Sequence, residues 1–160
     1  MTKNLVVYFS KTGEQYGVGN ITEGNTAILA KIISEKIGAD LFEIKVINDN
    51  YPNTYRELVK YAQNEKAQNA RPEIEEGLKN IEQYENVFLG YPNWWSDMPM
   101  PVYTFLEKYD LSNKKMFYFC THEGSGGVKR EDFAIYGHIP QNNKEEAEQK
   151  VEEWLKRIGF

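Results

Sequence analysis

The sequence is poor in cysteine and has neither a basic segment nor a long apolar run. Its one cysteine, Cys120, excludes an intramolecular disulfide. Nineteen Lys and Arg against 24 Asp and Glu give a formal net charge of −5, which argues against nucleic acid and anionic membranes as partners. No apolar run is long enough for a signal peptide or a membrane span. We therefore expect a cytoplasmic protein that binds neither nucleic acid nor membrane.

The length and composition are those of one globular domain. Of the 160 residues, 41% are hydrophobic and 27% are charged, with 12 Gly and 6 Pro. A chain of this length buries roughly 70% of its unfolded surface when it folds. No segment repeats at a fixed period, and none has the composition of an interdomain linker. The sequence therefore predicts a single domain over residues 1–160.

Apolar strands alternate with amphipathic helices along the chain. Predicted strands fall at 5–9, 41–46, 84–91, 116–120 and 133–139. Helical spacing of apolar residues predicts helices near 28–37, 55–69, 102–108 and 147–158, with Gly38 ending the first and Asn143 capping the last. This order is typical of right-handed βαβ crossovers. It predicts an α/β fold of three layers, with a doubly wound, five-stranded parallel sheet.

The loop after the first predicted strand has the chemistry of a phosphate site. It runs from Ser10-Lys11-Thr12-Gly13 to Gly24-Asn25-Thr26 at the start of a helix. Hydroxyls, an amide and glycines at a helix N-terminus bind phosphate through backbone N–H groups and the helix dipole. The chain lacks the P-loop and dinucleotide fingerprints, which favours a monophosphate. Taken alone, the same residues also fit a simple turn and helix cap.

The loops after the third and fourth predicted strands offer flat aromatic groups and a glycine-rich backbone. Trp94 and Trp95 lie in GYPNWWSDMP, where either a flat ligand or the core can cover them. The segment THEGSGG, beginning at Thr121, suits either close approach to a ligand or a surface turn. In a sheet of order 2-1-3-4-5 the first, third and fourth strands are neighbours, so the three loops meet at one crevice. Their convergence predicts a ligand site.

The motifs YFSKTG…GNT, FLGYPNWW…MPMPVYTFLE and FCTHEGSGG resemble those of the flavodoxin family over nearly the whole chain. The resemblance implies a flavodoxin-like sheet of order 2-1-3-4-5 and noncovalently bound FMN, which requires no catalytic side chain. The two distant histidines and the one cysteine have no metal-ligand spacing, so we expect no metal site. The resemblance also implies phosphate contacts at Ser10, Thr12, Gly13, Asn25 and Thr26, ring contacts at Pro92, Asn93, Trp94 and Trp95, and contacts to the polar edge of the ring at Thr121, His122, Glu123 and Gly124.

Two segments depart from the family pattern. Residues 14–23 form an insertion within the phosphate loop. Only residues 121–132 separate the fourth and fifth predicted strands, where the family normally has a helix. This is close to the shortest possible parallel crossover. We therefore expect the fourth helix to be reduced or absent.

The resemblance implies a low-potential electron carrier that meets a reductase and an acceptor protein in transient contacts. The net charge of −5 and the acidic residues Glu123 and Asp97 near the ring loops disfavour added negative charge on a flavin. The alternative is an FMN-dependent NAD(P)H:quinone-type oxidoreductase, with room beside the ring for a small quinone-like acceptor. His122 is either a donor to a flavin oxygen or a solvated loop residue. A receiver-like signalling domain is disfavoured because the strand ends lack an acidic cluster.

Overall fold

The computed structural model describes residues 3–160, so the first two residues of the predicted domain lie outside the description. Seven strands and five helices follow one another along this part of the chain. They are β1 (Asn4–Tyr8), β2 (Gly13–Gln15), β3 (Gly19–Ile21), α1 (Asn25–Ile37), β4 (Asp40–Glu43), α2 (Tyr55–Ala67), β5 (Asn86–Pro92), α3 (Met100–Lys108), β6 (Lys115–His122), β7 (Phe133–Tyr136), α4 (His138–Asn142) and α5 (Lys144–Ile158).

Five of the strands form one parallel sheet in the order β4-β1-β5-β6-β7. Numbered along the chain without the β2–β3 hairpin, this order is 2-1-3-4-5. The predicted fold class and strand order are therefore confirmed. The order reverses between β1 and β5, so the carboxyl ends of β1, β5 and β6 form the crevice where such sheets bind ligands.

The sheet is covered on both faces, as the continuous apolar strands predict. Leu5 and Val7 of β1 belong to the core under α2 and α3, whereas Val6 and Tyr8 belong to the core under α1 and α5. Successive side chains of a strand point to opposite faces, so one short strand contributes to both cores. The edge strand β4 is largely exposed, as its alternating sequence predicts.

Helix ends follow the predicted signals. Gly38 ends α1 in the left-handed conformation (φ 64°), which a residue without a Cβ adopts at little cost. The Asn143 side chain caps α5 by accepting a hydrogen bond from the Glu146 amide at 3.2 Å. These caps set where the two helices on one face of the sheet begin and end.

The two unusual segments take definite forms. Residues 123–132 link β6 to β7 through turns without a helix, as expected from their length. The insertion folds into the antiparallel hairpin β2–β3.

The predicted fifth strand is too long, because β7 ends at Tyr136 and the chain enters α4 at His138. The Glu123 carboxylate accepts the His138 amide hydrogen at 2.6 Å, so this amide does not continue the ladder.

Within residues 3–160, no helix is long and apolar enough to cross a membrane. The same part of the chain contains no group of three or more His, Cys, Asp or Glu side chains placed to hold a metal ion.

Candidate functional site

A cavity of about 510 Å³ lies at the carboxyl ends of β1, β5 and β6. Pockets of roughly 300–1,000 Å³ are typical for small ligands and cofactors. The walls come from the phosphate loop, the loop after β5 that carries Trp94 and Trp95 (the tryptophan loop), the loop after β6, the β2–β3 hairpin and helix α2. The lining residues are Gln15, Tyr16, Asn25, Tyr55, Leu58, Val59, Ala62, Pro92, Asn93, Trp94, Trp95, Ser96, Thr121, His122, Glu123 and Ser125.

One end of the cavity is the N-terminus of α1. Ser10 Oγ accepts the Ala27 amide hydrogen at 3.1 Å, so this hydroxyl supports the first turn of the helix. Within residues 3–160, the amides of Asn25 and Thr26 have no acceptor. Free N–H groups at the positive end of a helix dipole attract an anion.

Gly24 lets the phosphate loop pass close to this helix. A Cβ on Gly24 would lie 2.0 Å from Ser10 Oγ and 2.8 Å from the Lys11 carbonyl oxygen. Any larger residue would therefore push the loop away from the first turn of α1.

The cation of the phosphate loop is engaged elsewhere. Lys11 Nζ donates to the Thr12 carbonyl at 2.8 Å and to Asn53 Oδ1 at 3.2 Å. Burial lowers the pKa of Lys11, and the nearby Asp49 opposes that change. The loop therefore presents mainly neutral donors, as the motif suggests.

The two tryptophans have different environments. Trp94 packs edge-on against Phe9, with ring centroids 5.4 Å apart, and lies beside Tyr51 in the core under α2. Trp95 remains 43% exposed, and its backbone is left-handed (φ 58°). Its Nε1 donates to the Val59 carbonyl at 2.9 Å, while Lys66 Nζ donates to the Trp95 carbonyl at 2.6 Å. Trp94 is thus both core and cavity wall, and Trp95 is fixed at the rim.

The tryptophan loop and the loop after β6 are tied together by Asn93. Its backbone N–H donates to the Thr121 carbonyl at 2.9 Å, and its side-chain Nδ2 donates to the Gly126 carbonyl at 2.8 Å. Its Oδ1 accepts the Ser96 amide hydrogen at 2.9 Å. Because every polar group of this side chain is engaged, Asn93 fixes the distance between the two loops.

A buried pair of hydroxyls connects the phosphate end to the loop after β6. Thr26 Oγ1 and Thr121 Oγ1 lie 2.7 Å apart, and both residues are buried. This hydrogen bond joins the first turn of α1 to the carboxyl end of β6. It therefore fixes the phosphate end of the cavity relative to the loop after β6.

His122 lines the cavity, and its imidazole contacts the Gly124 backbone and the Tyr136 ring. Its Nδ1 accepts the Gly124 amide hydrogen at 2.9 Å, and the Tyr136 ring lies 4.8 Å away between centroids. Burial lowers the pKa of His122, with the nearby Glu123 opposing the change. The site therefore favours the neutral imidazole.

The two acidic residues assigned to the ring loops are paired with other groups. Glu123 Oε2 lies 2.8 Å from His138 Nδ1, and its other oxygen accepts the His138 amide. Asp97 accepts hydrogen bonds from the Met98 amide and the Tyr103 hydroxyl, and its carboxylate lies 3.9 Å from Lys66 Nζ. Of the two carboxylates, only Glu123 lines the cavity.

The hairpin adds a wall that the sequence analysis did not include. The Glu14 amide donates to the Asn53 carbonyl and Glu14 Oε1 accepts the Tyr55 amide hydrogen, both at 2.9 Å. These bonds hold the hairpin against the start of α2. Tyr16, which is 62% exposed, then lies 5.7 Å from the Tyr55 ring between centroids. Two aromatic rings therefore border the cavity where the hairpin meets α2.

The hairpin also reaches the loop after β6. A Cβ on Gly17, at the hairpin tip, would lie 3.0 Å from Glu123 Oε2. The insertion thus spans from α2 to Glu123 along the side of the cavity. The position of the insertion, inside a predicted ligand loop, is the sequence signal for the hairpin wall. The sequence contains no comparable signal for the residues of α2 that line the cavity beside it.

The predicted site residues fall into two groups. Those that line the cavity are Asn25, Pro92, Asn93, Trp94, Trp95, Thr121, His122 and Glu123. The others stand behind or beside it: Ser10 and Thr26 fix the first turn of α1, Gly124 binds His122, Thr12 is exposed and Gly13 begins the hairpin. Missed by the sequence analysis are Gln15, Tyr16, Tyr55, Leu58, Val59, Ala62, Ser96 and Ser125.

Cys120 lies on β6 next to the site but takes no part in the cavity wall. Its side chain is fully buried, and burial raises the thiol pKa to about 12. A thiol in this state is a packing residue, since the thiolate is the reactive form.

Comparisons with known proteins agree with the fold. The family model described as Flavodoxin matches residues 3–157. A candidate flavoprotein from Bacteroides eggerthii DSM 20697 is 26% identical, with a TM-score of 0.71, over 100% of this chain and 99% of that one. A flavoprotein from Lactobacillus acidophilus NCFM, solved in complex with FMN, is 23% identical, with a TM-score of 0.63, over 78% of each chain.

A more distant structure shares the fold alone. The NAD(P)H:quinone oxidoreductase from Methanothermobacter marburgensis is 10% identical, with a TM-score of 0.53, over 100% of this chain and 98% of that one. The comparison with curated proteins gives no match.

Proposed function

Because this chain belongs to the flavodoxin family, we propose that its cavity binds FMN and that the protein acts as a low-potential electron-transfer protein. The observation that carries the proposal is the convergence of three loops on one cavity. They bring free helix N–H groups, an exposed tryptophan and a polar loop to its walls. The FMN-bound flavoprotein among the structural neighbours supports the choice of cofactor.

The donor set fits the parts of FMN. The unpaired amides of Asn25 and Thr26 suit the phosphate, and the first turn of α1 contains no acidic residue. The exposed Trp95 offers a flat face to the isoalloxazine ring. The cavity volume of about 510 Å³ is within the range for a cofactor.

FMN supplies the electron chemistry when bound, and the protein supplies binding, orientation and electrostatics. In this proposal α1 and Gly24 hold the phosphate, and Trp95 supports the ring. Asn93 and the Thr26–Thr121 pair keep the two ends of the site at a fixed separation. Leu58, Val59 and Ala62 give the α2 wall an apolar surface that excludes water. No side chain needs to react.

The proposed low potential rests on charge and on stacking. The net charge of −5 opposes further negative charge on the cofactor, although Glu123 and Asp97 are both paired. Stacking on Trp95 favours the electron-poor oxidised ring over the reduced ring. Partners would be a reductase and an acceptor protein that make brief contacts with the exposed rim, as is common for redox encounters.

The hairpin favours a second candidate function, an FMN-dependent NAD(P)H:quinone-type oxidoreductase. Tyr16 and Tyr55 present aromatic surface to the cavity where the hairpin meets α2. A small planar acceptor could stack on such a surface beside the cofactor. Turnover of NADH or NADPH with a soluble quinone, lost in Tyr16→Ala, would favour this reading, whereas no turnover would favour the electron carrier.

Titration of the apoprotein with FMN tests the proposal. We expect saturable one-to-one binding, followed by quenching of flavin fluorescence, and at least about tenfold weaker binding in Trp95→Ala because stacked area is lost. Leu41→Ala is the matched control, since Leu41 is also an exposed apolar residue but lies on β4 outside the cavity wall. No binding of FMN by the folded wild type at micromolar concentration would overturn the proposal.

A further inference from the structure

We propose that His122 donates a hydrogen bond from Nε2 to the electron-rich edge of bound FMN and thereby favours the reduced cofactor. The inference rests on the proposed binding of FMN. It goes further by fixing the tautomer of one side chain, the atom that faces the cofactor and the redox state that this atom stabilises.

The tautomer follows from the partner of Nδ1. A backbone N–H group can only donate, and the Gly124 amide donates to His122 Nδ1 at 2.9 Å. Nδ1 must therefore offer its lone pair and carry no proton. A neutral imidazole with an unprotonated Nδ1 carries its proton on Nε2. Protonating the ring would replace this hydrogen bond with a clash between two donors.

The position of the ring leaves Nε2 as its free polar atom. The Tyr136 ring lies tilted at 50° to the imidazole with the centroids 4.8 Å apart, and the Gly124 backbone occupies the Nδ1 edge. Within the described chain, Nε2 has no hydrogen-bond partner, and the residue lines the cavity. Burial favours the neutral form as well, as the lowered pKa of His122 indicates. The loop therefore holds a neutral N–H donor at the wall of the proposed cofactor site.

Such a donor acts differently on the two redox states. Reduction adds electron density to the carbonyl and nitrogen acceptors of the flavin ring. A hydrogen bond to a charged acceptor is stronger than one to a neutral acceptor. The Nε2–H group therefore binds reduced FMN more strongly than oxidised FMN, and the proton remains on Nε2 throughout. This local effect opposes the overall charge of −5, so His122 would limit how far the potential falls.

The first test measures the tautomer directly in the apoprotein. Nitrogen-15 NMR of the histidine rings at neutral pH should show a protonated Nε2 and an unprotonated Nδ1 for His122, identified by its loss in His122→Gln. A spectrum with the proton on Nδ1, or on both nitrogens, would overturn the assignment whether or not FMN binds.

The second test separates donation to the cofactor from support of the loop. In His122→Asn, Oδ1 can still accept the Gly124 amide hydrogen, but no N–H group remains at the position of His122 Nε2. In His122→Gln, the side chain can place an N–H near the position of Nε2, but the acceptor for Gly124 is lost. Dissociation constants for oxidised and reduced FMN are measured for both variants and the wild type, with thermal unfolding as the check on folding.

We expect His122→Asn to weaken binding of reduced FMN by about 10- to 100-fold more than binding of oxidised FMN. His122→Gln should keep the two affinities within a few-fold of the wild-type ratio. If His122→Gln rather than His122→Asn selectively weakens binding of reduced FMN, or if each variant weakens both redox states equally, the role of His122 is to support the loop. Failure of the wild type to bind FMN would overturn this inference together with the proposed function, whereas normal FMN binding with an unchanged affinity ratio would overturn this inference alone.

Discussion

At the scale of single residues, the Thr26–Thr121 pair shows how two buried polar groups can connect distant parts of a site. One hydroxyl donates a hydrogen bond to the other at 2.7 Å, and both residues are buried. Replacing one of them leaves a buried polar group without its partner, which costs about 1–3 kcal/mol. Replacing both with groups of the same shape removes the need for a partner.

We therefore expect Thr26→Val and Thr121→Val each to lower the free energy of unfolding by about 1–3 kcal/mol, and the double variant to lose less than the sum. Urea denaturation of the four proteins in the absence of FMN measures this coupling. Additive losses would mean that the two hydroxyls do not depend on each other.

At the scale of elements, the pairing of β5 with β6 depends on one glycine. Gly90 lies opposite Phe119 in the ladder, and a Cβ on Gly90 would lie 2.0 Å from the Phe119 ring. Both residues are in the buried centre of the sheet, where neighbours have little room to move. The large ring on one strand therefore requires the absence of a side chain on the next.

Gly90→Ala should lower the free energy of unfolding by about 1–3 kcal/mol through overpacking. Gly77→Ala is the control, because its new Cβ would meet only Phe42 at an ordinary 3.5 Å. Thermal or urea unfolding of the two variants checks the prediction, and equal stabilities would show that Phe119 can move aside.

The sheet and four of its five α-helices were predictable from the sequence because their signals are local, whereas α4 was not predicted. Continuous apolar runs mark strands covered on both faces, and Gly38 and Asn143 end and begin helices where expected. The end of β7 was not predictable in this way. The sequence FAIYGHI continues to look like a strand, but where the chain leaves it the His138 amide donates to the carboxylate of Glu123, a residue outside this segment.

The candidate site was predictable only in part. The three loops follow strands in the standard strand order, so their convergence could be inferred from topology. The wall formed by Tyr16 and Tyr55 depends on how the hairpin docks against Asn53 and α2. Nothing within the insertion specifies that partner, so a pattern confined to neighbouring residues could not reveal it.

At the scale of the whole molecule, the net charge should influence which acceptors the reduced protein meets most often. A negative field attracts cations and repels anions over distances that salt shortens, from about 30 Å at 0.01 M to about 3 Å at 1 M. We expect reoxidation of the FMN-loaded protein by hexaammineruthenium(III) to slow as salt is raised and reoxidation by ferricyanide to accelerate. Stopped-flow absorbance measures both rates, and salt effects of the same sign for both acceptors would contradict a negative field at the site.

The buried state of Cys120 has a practical consequence for handling the molecule. With its thiol inside the sheet and its pKa near 12, it should not react with maleimides while the protein is folded. A cysteine introduced at an exposed position such as Leu41 would then be the single reactive thiol on the surface. The native sequence thus accepts a spectroscopic label or an electrode linker at a chosen site, with its own cysteine left in place.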